Sequence, residues 1–228
     1  MGERALIIAP HADDAEFGCG GYLARMLERD TFHATIMVVC NSTYKSRHTG
    51  ELVSAEIREI EQKEAIRVFG EDRVALVMLN HGMENELHRC CLGQLVAGIE
   101  DVISVYRPTR LFIPLPSFNI DHTVVHDACI TALRPAMGQY FVPHVYAYEY
   151  PMQFWGPLVP YNGKAYLWLE QRHLKVKMEA LNKHESQMSG KAYHLTGPQG
   201  VRDLASRRGA ECGVEFAEMY YSIRDAWK

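Results

Sequence analysis

The sequence predicts an α/β fold built on a mostly parallel sheet with helices on both faces. Two observations carry this. Five short apolar runs, rich in β-branched residues, recur along the chain, and each is separated from the next by a stretch with helical periodicity. Strands that read as continuous apolar runs are buried on both faces, as parallel strands are. Residues 5–9 (ALIIA) form the first strand, and residues 20–29 a helix with Leu23, Met26 and Leu27 on one face. Residues 34–40 (ATIMVVC) form the second strand. Residues 51–69 form a long helix in which Ile57, Ile60, Ala65 and Val68 keep helical spacing and Gly70 supplies the stop. A third strand over 74–79 and a third helix over 92–106 follow, then a fourth strand over 110–115 (RLFIPL), a fourth helix over 121–133 closed by Pro135, and a fifth strand over 145–150. Residues 151–165, rich in Pro, Gly and aromatics, read as a long ordered loop or a short hairpin. Helices over about 169–183 and 201–208 complete the chain, so the expectation is one domain over 1–228 with a helical C-terminal extension from about 166.

A chain of 228 residues buries a core that needs no disulfide staple. The apolar share of 47% and charged share of 23% are those of a globular protein, and a net charge of −4 offers no basic footprint for nucleic acid or an anionic membrane. No run approaches the roughly eighteen apolar residues of a membrane span. Six cysteines form no CxxC pair and read as reduced thiols of a cytoplasmic protein. The start, MGERALIIAPHADD, passes straight into a strand without a signal-peptide pattern.

Chemistry is concentrated at two strand ends. The first strand ends in PHADDAEFGCGG, which places His11, Asp13, Asp14 and Glu16 within six residues. Carboxylates so close repel one another unless a cation sits among them. His plus carboxylate suits a catalytic zinc with an open position, and adjacent aspartates on a tight turn point different ways, so one can bind metal while the other acts as a base toward water. Gly18, Gly20 and Gly21 would let the backbone pass close to a site and start a helix. A phosphate-cradling turn is the alternative, but GCGG lacks the GxGxxG spacing and the paired aspartates would repel a pyrophosphate. A solvated acidic loop is another, disfavoured so close to a buried strand.

The fourth strand ends in PLPSFNIDHTVVHDA. Asp121 reads as a helix N-cap beside a surface His122. Alternatively, since ligand crevices of such sheets lie beyond the carboxyl ends of the strands, His122 completes a three-ligand site with His11 and Asp14, and Asp121 orients a histidine. His126, four residues on, makes an HxxxH spacing, though such a second histidine more often packs or faces solvent.

Together these segments resemble the LmbE-like (PIG-L) zinc-dependent N-deacetylases. PHADDAEFGCGG is similar to that family's PHPDDxExGxGG signature, with Ala12 where Pro is common, and NIDHTVVHDACITALRP resembles its second motif. Arg58, Glu61, Ala65 and Gly70 match the helix between them; YAYEYP and KMEALNKHESQ resemble later positions. The resemblance implies a Rossmann-like fold and hydrolysis of an N-acyl amino sugar. It implies Zn2+ on His11, Asp14 and His122, Asp13 as general base, and Asp121 and Asn119 as further catalytic residues. Many members carry His at the position of Asn119, which cannot supply a proton but can donate a hydrogen bond. Iron or another divalent ion fits such a donor set as well.

Arg58 and Glu16 are the candidate substrate contacts. Arg58 holds a sugar hydroxyl or phosphate, or else pairs with a nearby Glu; Glu16 meets the sugar or braces the loop. Tyr44, Lys45, Arg47 and His48 follow the second strand at the same rim and either bind an anionic group or form a solvated loop. Trp155, Pro157 and Tyr161 offer a stacking surface, a core contact or a surface for a homo-oligomer. The expected partner is a small N-acetyl amino-sugar substrate. A modified nucleoside or a lipoglycopeptide is the alternative acyl amide, and a non-catalytic carbohydrate-binding module the alternative class, which the intact Asp13–Asp14 pair argues against.

Overall fold

The computed structural model describes residues 2–46, 50–82, 84–153, 160–191 and 194–226. Its strands are β1 (Arg4–Ala9), β2 (His33–Val38), β3 (Tyr44–Lys45), β4 (Leu52–Val53), β5 (Val74–Met78), β6 (Arg110–Pro114), β7 (His144–Tyr148), β8 (Lys164–Leu169) and β9 (Phe216–Asp225). The main sheet has the order β5-β2-β1-β6-β7-β9-β8; β3 and β4 pair separately. The pairs β5–β2, β2–β1, β1–β6 and β6–β7 are parallel, and β9 runs antiparallel to both its neighbours. The helices are α1 (Asp14–Met26), α2 (Ala55–Phe69), α3 (Leu92–Tyr106), α4 (Ile120–Ala132), α5 (Gln171–Asn182), α6 (Glu185–Met188) and α7 (Pro198–Cys212).

The alternation within β1 divides the core. Ala5, Ile7 and Ala9 pack with Tyr22, Leu23, Phe69 and Ala180, whereas Leu6 and Ile8 pack with Leu95, Ile99, Val125 and Cys129. Helices α1, α2 and α5 therefore cover one face and α3 and α4 the other. Each fully buried aliphatic side chain contributes on the order of 1.5–3 kcal/mol. From β1 the sheet extends one way through β2 and β5 and the other way through β6 and β7. The carboxyl ends of β1 and β6 therefore adjoin at the topological switch point, where crevices form.

Helix α1 begins at Asp14, not near residue 20, so the first motif is itself the helix start. Its glycines do not serve the turn; they let the helix pack closely. A Cβ on Gly18 would lie 2.1 Å from Cδ2 of Tyr148, one on Gly20 2.8 Å from Cγ of Lys177, and one on Gly21 2.5 Å from Cδ1 of Leu169. Tyr148 cannot retreat cheaply, because its hydroxyl donates to the Ile8 carbonyl at 2.9 Å. Gly18→Ala is expected to cost about 3 kcal/mol, the upper end of overpacking penalties, read as a lower urea midpoint.

Helix α2 presents a different face from the one its apolar spacing suggests. Ser54 caps it, accepting from the Ile57 N–H, and Arg58, Glu61, Gln62, Ala65, Ile66 and Phe69 face inward. Ile57 and Ile60 are 45% and 59% exposed. Polar residues face inward here because they border the site described below.

The expected helical extension from about 166 is corrected. Helices α5 and α7 are present, but β8 and β9 flank them, and β9 pairs antiparallel with β7 and β8 within the main sheet. A buried Glu218 locks this segment onto α1: its carboxylate accepts from the N–H groups of Gly21 and Tyr22 at 2.8 and 2.7 Å and from Lys177 Nζ at 2.6 Å. All six cysteines are free thiols. Among the described residues no helix is long and apolar enough to cross a membrane.

Candidate functional site

His11, Asp14 and His122 converge at the switch point, with one donor atom of each within 4.8 Å of the others. His11 and Asp14 arrive on the β1–α1 turn; His122 lies in the first turn of α4, after β6. The Asp14 Oδ2 atom lies 3.3 Å from both His11 Nδ1 and His122 Nε2. Two ligands about 2.0–2.1 Å from a tetrahedral ion stand roughly 3.3–3.4 Å apart, so the spacing fits a divalent metal with nitrogen and oxygen donors. The three side chains could hold such an ion, and all are buried.

Asp121 decides which nitrogen of His11 faces that group. His11 Nε2 meets Asp121 Oδ2 at 2.8 Å. The Asp121 carboxylate also accepts from the N–H groups of Asn85 and Leu87. A proton on Nε2 leaves Nδ1 as a lone pair aimed at Asp14, the arrangement typical of metal-bound histidines. Burial opposes a charge on His11, but the bonds to Asp121 and Asp14 outweigh it and raise its pKa to about 10. Burial likewise works against ionised Asp14, yet the two imidazoles hold its carboxyl well below the usual range.

Asp13 stands beside this group without belonging to it. Its φ of 101° is rare for a residue with a side chain. Burial pushes its carboxyl up to about 6; the Arg58 charge pulls it back and Asp14 pushes it further. Arg58 is itself buried, donating to the Ala12 carbonyl at 2.7 Å with Glu84 3.4 Å away. Arg58 thus pairs with a Glu and also lines the cavity. Gln62 reaches under the turn, accepting from the Asp13 N–H at 3.3 Å and donating to Glu16 at 2.7 Å.

Two expectations are corrected, and a third candidate, His126, is placed. Glu16 has no exposed surface and faces Gln62 and His184, so burial denies it a substrate contact and it braces the turn. Asp121 is neither the N-cap of α4 nor at the cavity wall. It is fully buried against His11, and the cap is Asn119, whose Oδ1 accepts from the Asp121 N–H at 3.0 Å. His126 is not brought to the metal-type group; its nitrogens meet Asp127 Oδ1 at 2.9 Å and the Tyr161 hydroxyl at 2.8 Å.

The cavity over the group holds about 230 Å³ and is lined by Asp13, Arg58 and Asn119, by Glu84 and Asn85, which sequence reasoning missed, and by Tyr150 and Gln187, which fall in the YAYEYP and KMEALNKHESQ stretches but had no role there. Tyr150 stands edge-on to His122. His184, from the KHESQ stretch, is fully buried with Nε2 3.6 Å from Glu16. Burial disfavours its charged form, but the Glu16 carboxylate prevails and raises its pKa. Tyr44 also lines the cavity, whereas Arg47, His48, Trp155 and Pro157 lie outside the described residues.

Comparison with known proteins fits this geometry. The deacetylase YaiS of Escherichia coli, itself called uncharacterized, is 25% identical over 79% of this chain and 90% of its own. The N,N'-diacetylchitobiose deacetylase of Pyrococcus horikoshii superposes with a TM-score of 0.75 at 18% identity, covering 97% of this chain and 84% of that one. GalB, the 4-carboxy-2-hydroxymuconate hydratase of Pseudomonas putida, superposes at 0.71 with 17% identity, covering 99% and 98%, so the fold also hosts a different reaction. The sequence model described as GlcNAc-PI de-N-acetylase, PIG-L, matches residues 6–133. That match spans more than half of the chain, and the protein belongs to the PIG-L family.

Proposed function

We propose that the protein is a zinc-dependent hydrolase that removes the N-acetyl or another N-acyl group from an amino-sugar-containing small molecule. One observation carries the reading: a three-donor metal-type group shares its cavity with a carboxylate, Asp13, that the group does not use. A binding module on this fold does not require that pairing. The family membership and the deacetylases among the similar proteins support the same reaction.

His11, Asp14 and His122 would hold the ion, which supplies Lewis acidity toward the amide carbonyl and acidifies water. Asp13 takes a proton from the attacking water as the new C–O bond forms. The Oδ1 atom of Asn119 is committed to its cap, which leaves Nδ2 to donate to the oxyanion. Protonated Asp13 then passes its proton to the nitrogen as the C–N bond breaks, and the second proton of the water follows from the new carboxyl group to the amine, giving a carboxylate and an ammonium. Arg58 keeps Asp13 charged and offers a donor to a sugar hydroxyl.

Asp121 acts through His11. Asp121→Asn keeps the volume but weakens the acceptor on Nε2, so metal affinity is expected to fall about 10–100-fold, measured by chelator competition. The reading as a whole is tested by metal analysis and acetate release from a panel of N-acetylglucosaminides. Stoichiometric zinc with release supports it. Release only from other N-acyl amides moves the substrate class, and an absence of both metal and release overturns it.

A further inference from the structure

A second cavity, about 550 Å³, opens beside the first and is lined by Tyr44, Lys45, Ser46, Asn85, Ser186, Gln187, Ser189 and Lys191. The two share Tyr44, Asn85 and Gln187 as walls, so they adjoin, and the metal-type group lines the inner one. Tyr44 marks the boundary. Its hydroxyl accepts from Gln187 Nε2, and the Arg58 guanidinium lies 5.7 Å from its ring centroid. Helix α6 forms one wall and is fastened by Glu61, which accepts from the Ser186 N–H and hydroxyl, both at 2.7 Å.

The charge on this outer wall is one-sided. Lys45 and Lys191 line it, and no carboxylate does among the described residues. Neither ammonium makes an ion pair or side-chain hydrogen bond with another described residue. Lys191 is only partly exposed, and burial lowers its pKa. It feels the charges of Asp13 and Arg58, which places it within electrostatic reach of the inner pocket. Two cations in a concave wall that has no carboxylate among the described residues focus potential toward an anion.

We infer that the outer cavity is an anion subsite in which Lys45 and Lys191 hold a phosphate or carboxylate group carried by the far end of the substrate, so that the natural substrate is an anionic conjugate and not a neutral sugar. This rests on the proposed deacylation and specifies its substrate. Recognition of the sugar end belongs to the inner pocket, and discrimination between conjugates to the outer one.

The test compares methyl N-acetylglucosaminide, N-acetylglucosamine 1-phosphate and a carboxymethyl N-acetylglucosaminide as substrates. The corresponding free amines serve as ligands in calorimetry. Wild type is expected to prefer an anionic substrate at least tenfold in kcat/KM, with the ratio falling in 0.5 M salt. In Lys45→Gln/Lys191→Gln the ratio should drop toward one, and Lys45→Arg/Lys191→Arg should restore most of it. Preference for the phosphate over the carboxylate, or the reverse, identifies which anion the site takes. A wild-type ratio near one, or a ratio unchanged in the glutamine variant, overturns the subsite. If no substrate is turned over, the deacylase reading fails separately. Calorimetry then decides the subsite: tighter binding of glucosamine 1-phosphate or carboxymethyl glucosaminide than of methyl glucosaminide, lost in the glutamine variant, sustains it, and equal binding of all three ends it.

Discussion

Asp13→Ala is expected to leave about one metal ion per chain and to lower kcat about 10²–10⁴-fold, the range typical of losing a positioned acid–base group. The separation of the two readouts follows from the site. Asp13 lies outside the three-donor group but lines the same cavity. Its carboxyl, pushed up to about 6 by burial, is a stronger base than an ordinary aspartate and still gives its proton up near neutrality. KM should move little, because the group acts on water and the leaving nitrogen more than on the bound substrate. Metal loss together with activity would make Asp13 a ligand; retention of most activity would remove it from the chemistry. A second comparison isolates the backbone. At φ 101° an alanine is strained and a glycine is not. Both variants lack the carboxylate, so Asp13→Gly should be about 1 kcal/mol more stable than Asp13→Ala in urea denaturation. Both should be equally inactive. Equal stability of the two would show that the turn carries no such strain.

The residues proposed to react were legible because they cluster at strand ends. His11, Asp13 and Asp14 directly follow β1, and Asn119, Asp121 and His122 follow β6; the parallel reading of the sheet then places both groups on one rim. Their division of labour was less legible. Asp121 and Asn119 are two residues apart, and either satisfies the composition of an N-cap; only the fold shows that His11 claims the Asp121 carboxylate, leaving the cap to Asn119. The inward face of α2 was less legible: the helical spacing of Ile57 and Ile60 suggests a core face, yet both are exposed and Arg58, Glu61 and Gln62 are spent on the site or its walls. Glu84, Asn85 and Gln187 come from loops or short turns with no periodic signal. β9 carries a buried Glu218 whose partners Gly21, on α1, and Lys177, on α5, lie 197 and 41 residues away in sequence, so local pattern alone did not mark it as a sheet strand.

Asp14→Ala is expected to abolish both metal binding and turnover, because Asp14 is the shared vertex of the group. Its Oδ2 atom lies 3.3 Å from a nitrogen of each histidine and also accepts from the His11 N–H at 3.0 Å. The two imidazoles alone leave an incomplete ligand set for a zinc ion that takes three protein donors in catalytic sites. Stability measurements separate this loss from misfolding. A ligand bound only by the folded chain stabilises it by RT ln(1 + [L]/Kd), about 2.7 kcal/mol at a hundredfold excess over Kd. Adding zinc to chelator-stripped wild type should produce a gain of that order and restore turnover. Asp13→Ala should show the same gain without the turnover, and Asp14→Ala should show neither while still unfolding cooperatively. An Asp14→Ala chain that kept full metal stoichiometry, or a stripped wild type that hydrolysed its substrate at the full rate, would place the metal elsewhere or remove it from the reaction.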